Sequence, residues 1–124
     1  MIKFLKLTYY ISIFVLIIIS LFPGSIIGFL LYGDWHIQPN LIKNPFDTTI
    51  NHFICYFFVS LLGLSISSNS KKITYFMFFL SVILEFFHLI VPNRSFEMTD
   101  LVANILGVLV AYSFVKIYLL INKK

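Results

Sequence analysis

Apolar positions run along this chain in long unbroken blocks, not in the alternating or 3.6-residue spacing that marks a half-buried strand or helix in water. Four blocks can be drawn, at residues 4–22, 50–67, 73–91 and 101–121. Each is close to the roughly 20 mainly apolar residues that a helix needs to cross a bilayer. The pattern therefore predicts an all-α, polytopic membrane bundle of four transmembrane helices. The blocks occupy most of the sequence, so residues 1–124 are read as a single membrane domain.

The breaks between blocks carry the usual punctuation. Pro23 and Gly24 should end the first helix, because proline and glycine interrupt helices. Residues 26–32 are apolar but too short to span; they either extend the first helix through a kink or lie at the membrane surface. The most polar connector, residues 33–46, holds Trp35, and Trp and Tyr suit the headgroup level. Asp47-Thr48-Thr49 looks like an N-cap for the second helix, with the acid favoured by the helix dipole. Residues 67–72 and 92–95 form two short turns, and Ser95 or Thr99 is placed to cap the last helix. No repeat, low-complexity segment or sustained heptad is present.

Composition sharpens this reading. The chain is 60% hydrophobic and only 11% charged, with a mean hydropathy of +0.97; a soluble domain carries about a quarter charged residues. The net charge of +4 is not a nucleic-acid footprint, because no basic stripe with interleaved aromatics lies outside the blocks. Its distribution sets an orientation instead. Lys3, Lys6, Lys71, Lys72, Lys116, Lys123 and Lys124 fall on one side of a four-span bundle, with no acid among them. Lys43 and Arg94 lie toward the other side, with all five acids. Lys and Arg in short loops favour the cytoplasm, so both termini are expected there. A cleaved signal peptide is the rival for the first block, but no small-x-small site follows it. Cys55 lies inside the second block and is read as a small buried hydrophobe.

The remaining polar residues share a depth. Ser81, Glu85 and His88 fall at i, i+4 and i+7; Asp100, Asn104, Gly107 and Ala111 follow the same rule, as do His52, Tyr56 and Gly63. With the third helix running to Val91, Glu85 would lie about 9 Å from its end, at about 1.5 Å per residue. An acid facing lipid at mid-span costs about 2.5–3.5 kcal/mol on insertion scales. The cheapest arrangement turns His52, Glu85, His88, Asp100 and Asn104 toward one shared interior, near the extracytoplasmic end.

These residues resemble a known family. Glu85-x-x-His88, Pro92-x-Arg94-Ser95-Phe96 and Asp100-Leu101-x-Ala103-Asn104-x-x-Gly107 are similar to the signature of the VanZ-like family of small bacterial membrane proteins. Asn51-His52-Phe53-Ile54-x-Tyr56 resembles its second signature, and Ser20-Leu21-Phe22-Pro23 its end of helix one. Two positions depart from the pattern: His88 stands where Gln is usual, and Asp47 precedes His52 by five positions where the family has an Asp at four. The resemblance implies a multi-pass protein of the bacterial cytoplasmic membrane with a cell-envelope role. The family's namesake is associated with resistance to the glycopeptide teicoplanin, whereas most relatives have no established activity.

The candidate binding cluster is thus His52, Glu85, His88, Arg94, Asp100 and Asn104, and each member has two readings. Glu85 is either a functional acid or a buried clamp between helices three and four. Arg94 either holds a lipid phosphate through its forked donors or neutralises Glu97 or Asp100. Asp100 and Asn104 either bind a ligand or serve the helix dipole and an interhelical hydrogen bond, and His52 is either an acid/base group or an interfacial hydrogen bonder. Gly107 with Ala111 reads as close helix packing. No metal or cofactor is expected: Glu85-x-x-His88 has the spacing of a di-iron motif, but the second motif and further acids such a site needs are missing, and no HExxH or Cys pair supports zinc. The expected partners are membrane lipids, or a lipid-linked cell-wall precursor, bound by headgroup. The competing expectations are an intramembrane acid/base enzyme on a lipid-linked substrate, for which Ser81, Ser95 and Thr99 lack a nucleophile motif, and a small assembly subunit. Nothing in the pattern sets an oligomeric state.

Overall fold

The computed structural model describes residues 2–43, 45–66 and 70–122. Within them the chain is all-α, with five helices in the order α1 (Ile2–Leu21), α2 (Ile26–Tyr32), α3 (Thr49–Ile66), α4 (Ser70–Phe87) and α5 (Met98–Ile121). The most extensive contact is between α3 and α5; α4 packs on α5, α3 and α1, and α1 on α3 and α4.

This is an inside-out molecule. Thr74, Ser81, Glu85, His88, Asp100 and Asn104 are buried, while Phe4, Tyr10, Phe14, Phe58, Phe79 and Phe114 are between 58% and 71% exposed. A water-soluble bundle would present the reverse, so the outer face is one that lipid solvates. The interior joins a belt of Tyr9, Ile13, Leu16, Met77, Leu80, Leu84 and Val108 to the polar groups above it. Three helices, α1, α3 and α5, are long and apolar enough to cross a membrane. The third apolar block, residues 73–91, maps to α4, which is 18 residues long but takes in Lys71 and Lys72 at its start as well as Glu85.

Where the elements differ from the sequence pattern, local chemistry explains it. Apolar character continues through Val91, yet α4 ends at Phe87. Pro92 disfavours helical backbone in the residue before it, and the chain tightens into three-residue bonds, His88 N–H to Glu85 O, Leu89 N–H to Phe86 O and Ile90 N–H to Phe87 O, at 3.0–3.1 Å. Glu85 therefore sits in the last turn of its helix, about 3 Å from the end and not 9 Å. At the start of α5 the N-cap position is Glu97, with no side-chain cap bond. Neither Ser95 nor Thr99 caps it; Ser95 Oγ donates to Glu97 Oε1 at 3.2 Å. Asp47 takes a left-handed φ of 51° and accepts from Asn40 Nδ2 at 3.0 Å. The expected turn at Ser67, Ser68 and Asn69, and the terminal Lys123 and Lys124, lie outside the described residues.

Residues 26–32 form a separate helix and do not continue α1. Ser25 Oγ caps α2 by accepting from Gly28 N–H at 2.9 Å, and Gly33, at φ 71°, closes it with a bond to Phe29 O. The helix is folded back on its own connector: Ser25 N–H donates to Trp35 O at 2.7 Å, and Trp35 stacks on Phe29 and Phe22 with centroids 3.9 and 5.2 Å away. Only glycine fits at position 28, where an added Cβ would come 1.8 Å from Ile37 O.

At the α3–α5 contact, a Cβ on Gly107 would meet Phe53 O at 2.6 Å and Phe57 N at 2.9 Å, both backbone atoms. At Gly63 the obstacle is the Tyr9 ring at 2.6 Å, a side chain that can turn. Overpacking a core costs about 1–3 kcal/mol, against a helix-propensity gain of about 1 kcal/mol for Gly to Ala. Gly107→Ala should therefore lower the melting temperature in detergent clearly and Gly63→Ala less. Equal or reversed effects would contradict the α3–α5 packing described here.

Candidate functional site

The ends of α1 and α4 and the starts of α3 and α5 meet at one end of the bundle, and their polar side chains form a continuous hydrogen-bonded chain. Thr49 Oγ1 donates to Asp100 Oδ1 (2.6 Å). Asp100 Oδ2 lies 3.3 Å from His52 Nε2, and His52 Nδ1 is 3.2 Å from Asn104 Oδ1. Asn104 Nδ2 donates to Glu85 Oε2 (3.3 Å). Glu85 Oε1 accepts the Glu97 backbone N–H (3.2 Å) and faces His88 Nδ1 (3.2 Å). The chain then reaches α1: His88 Nε2 is 3.1 Å from Ser20 O, while Arg94 donates from Nη2 to Ile19 O (2.8 Å) and from Nε to Phe22 O (3.2 Å).

All six candidate residues are thus brought together, but not equally. His52, His88 and Arg94 line a cavity of about 110 Å³ between α1, α3 and the connector, with Tyr56, Ser25 and Ile26 also in its wall. Glu85, Asp100 and Asn104 are not part of its lining; they stand behind it and fix the two imidazoles. Arg94 was expected to bind a lipid phosphate or pair with Glu97 or Asp100. Its bonds go to carbonyls in and just after the last turn of α1, and among the described residues no carboxylate comes within ion-pair distance of it. Sequence reasoning named neither these carbonyl acceptors nor the part of Thr49; a backbone oxygen leaves no mark in a residue pattern. Tyr56 was visible on the face of His52 but was not counted in the cluster.

The network spans the segments of a known family signature, and comparison with protein families decides the matter: the VanZ/LLP1 family model matches residues 6–120. The chain belongs to the VanZ/LLP1 family. No curated protein and no solved structure matches it.

The charge state of this VanZ/LLP1 site follows from donor and acceptor counting. Ser20 O can only accept, so His88 Nε2 carries a proton; on its other side Nδ1 faces a carboxylate oxygen. Asn104 spends its amide N–H on Glu85 and turns its oxygen to His52 Nδ1, while His52 Nε2 faces Asp100. Arg94, which never deprotonates in proteins, keeps a positive charge in the cavity wall. Burial pushes its pKa down from the ordinary arginine value, while the charges of Glu85 and Asp100 push it up. With both nitrogens of both rings engaged inside the protein, the cluster is built to hold helices and to present a cation to the cavity. Among the described residues no three His, Cys, Asp or Glu side chains converge as a metal site.

Glu85 is 1% exposed and accepts three bonds. Removing one partner of a buried charge pair costs about 3–5 kcal/mol. Glu85→Ala should reduce thermal stability and membrane abundance on that scale. Glu85→Gln, which keeps the shape and one acceptor oxygen, should lose less; equal losses for the two would mean that the carboxylate's acceptor role is not what holds this end together.

Proposed function

We propose that this family member crosses the bacterial cytoplasmic membrane four times with both termini in the cytoplasm, and that its cavity faces outward to engage the headgroup of a lipid or of a lipid-linked cell-wall precursor in envelope maintenance. Four spans are supported by α4 lying inside the bundle, with Lys71 and Lys72 in its first turn, where long side chains can reach the interface. The lysine distribution supports the orientation. The observation that carries the binding reading is the cavity of about 110 Å³ at the bundle end, with Arg94 in its wall. It is several times the 10–15 Å³ that a single water requires, so it accommodates a headgroup but not a whole glycopeptide. A glycopeptide-resistance phenotype would then act through the envelope component that is bound. Acid/base catalysis is the weaker reading, because the ring nitrogens of His52 and His88 are already engaged.

Topology is testable at the exposed turn before α5. With Cys55→Ser as background, Ser95→Cys should react with a membrane-impermeant maleimide on intact cells or spheroplasts; reaction only after lysis would reverse the orientation.

Binding is testable at Arg94. Lysine keeps the charge but not the planar fork, so Arg94→Lys should be made in near-normal amounts while losing co-purifying anionic lipid and the tolerance of cells to envelope stress or glycopeptide. A variant with full abundance, full lipid and full tolerance would remove the headgroup reading.

A further inference from the structure

A second hollow lies on the same helix seam as the cavity. It is a groove of about 370 Å³ between α1 and α3, lined by Ser12, Phe58, Val59, Leu61, Leu62 and Ser65. The two hollows share their rows of side chains. On α3, Asn51 and Cys55 line the cavity while Phe58 and Leu62 line the groove, at i, i+4, i+7 and i+11, which is one helix face. On α1, Ser12 lines the groove while Leu16 and Ile19 line the cavity, again on one face. The groove therefore begins about one turn farther from the bundle end than the cavity. From Asn51 to Ser65 the shared seam runs about 20 Å, more than half of the roughly 30 Å hydrocarbon core of a bilayer.

The chemistry changes along this seam. The cavity wall carries Gln38, Thr48, His52 and Arg94. The polar side chains of the groove are Ser12 and Ser65, and each hydroxyl donates to the carbonyl four residues back, Thr8 O at 2.9 Å and Leu61 O at 2.7 Å. What the groove offers is apolar surface, and Phe58 in its wall is 60% exposed, on the side that lipid solvates. Toward the core the bundle is closed: on the inner face of α3, Tyr56 and Ser60 are 2% and 1% exposed and their hydroxyls lie buried without a partner. Resting on the headgroup reading above, we infer that cavity and groove are one binding track for a membrane amphiphile, with the headgroup in the cavity and one hydrocarbon tail in the α1–α3 groove. The ligand enters sideways from the bilayer. With one row of side chains on each helix, the groove is one chain wide, so any second chain stays among the lipids. A tail gains no hydrophobic energy by leaving lipid for protein; the groove contributes alignment, leading the headgroup to the cavity mouth.

The test separates tail from headgroup by chain length. The full chain, delipidated in a maltoside detergent, is titrated with hexanoyl and oleoyl lysophosphatidic acid and with farnesyl phosphate, and binding is read by native mass spectrometry and thermal shift. Ser12→Trp and Ser65→Trp fill the groove from its two sides; Val110→Trp adds the same bulk to the exposed face of α5 as a control. Each groove variant should weaken the oleoyl or farnesyl probe about tenfold while leaving the hexanoyl probe unchanged, and Val110→Trp should change neither. Either long tail showing this loss supports the inference, and the tighter of the two separates an acyl from a prenyl source. A wild-type measurement needs no variant to fold: a lysophosphatidic acid with a diazirine at mid-chain should label the segments around Ser12 and from Phe58 to Ser65 in preference to α5. Labelling mainly on α5, or long-tail affinity unchanged in both groove variants, overturns the tail track; if Arg94→Lys still abolishes binding of every probe, the headgroup reading stands without it. A wild-type dimer that Ser12→Trp dissociates would put a second copy in the groove and overturn the inference as well. No binding of any probe by the wild type sinks both.

Discussion

The last turn of α1 is the constraint on which this end of the molecule depends. A helix leaves its final carbonyls without partners, and in lipid each such group costs several kcal/mol. The helix has no basic residue of its own in that turn. Arg94 and His88 supply the donors from 75, 72 and 68 residues away, reaching Ile19 O, Phe22 O and Ser20 O. These bonds satisfy the carbonyls and place positive charge at the negative end of the helix dipole, and they tie α1 to the turn between α4 and α5.

Once Arg94 and His88 are committed to α1, the rest of the polar chain follows as compensation. His88 needs an acceptor on its second nitrogen and finds Glu85; Glu85, buried at the end of α4, needs further donors and finds Asn104 and the Glu97 backbone. Asn104 in turn orients His52 toward Asp100, which Thr49 steadies from the start of α3. Each element of the bundle end is linked to the next, so the cluster is a structural clamp whatever else it does. The cavity lies on its α1–α3 side, with Arg94 in the wall and, among the described residues, no carboxylate within ion-pair distance of it. A clamp and a binding site are compatible here because the bonds that hold the helices consume the imidazoles but not all of the guanidinium.

Much of this was legible beforehand. Long apolar blocks gave the all-α class and the helices, because a lipid solvent demands continuous apolar segments. Helical spacing put Ser81, Glu85 and His88, and Asp100 with Asn104, on buried faces, because burying them together avoids exposing them to hydrocarbon. Boundaries were less legible. The apolar run through Leu89, Ile90 and Val91 looked like helix, and it took the bonding of the turn before Pro92 to show that α4 stops at Phe87. The separate α2 depends on contacts with its own connector, Trp35 on Phe29 and Gly28 against Ile37 O, which lie between positions that a linear pattern does not pair.

By itself, then, the sequence determined a membrane-embedded helical chain of the VanZ type and the set of polar residues that had to be gathered inside it, since hydropathy and periodicity act through nearest neighbours along the chain. Tertiary structure alone decided what those residues touch. Arg94 meets carbonyls and not acids, both imidazoles are saturated, and Tyr56 keeps an unpartnered hydroxyl, because hydrogen-bond partners are settled by distances between helix ends that no local pattern encodes.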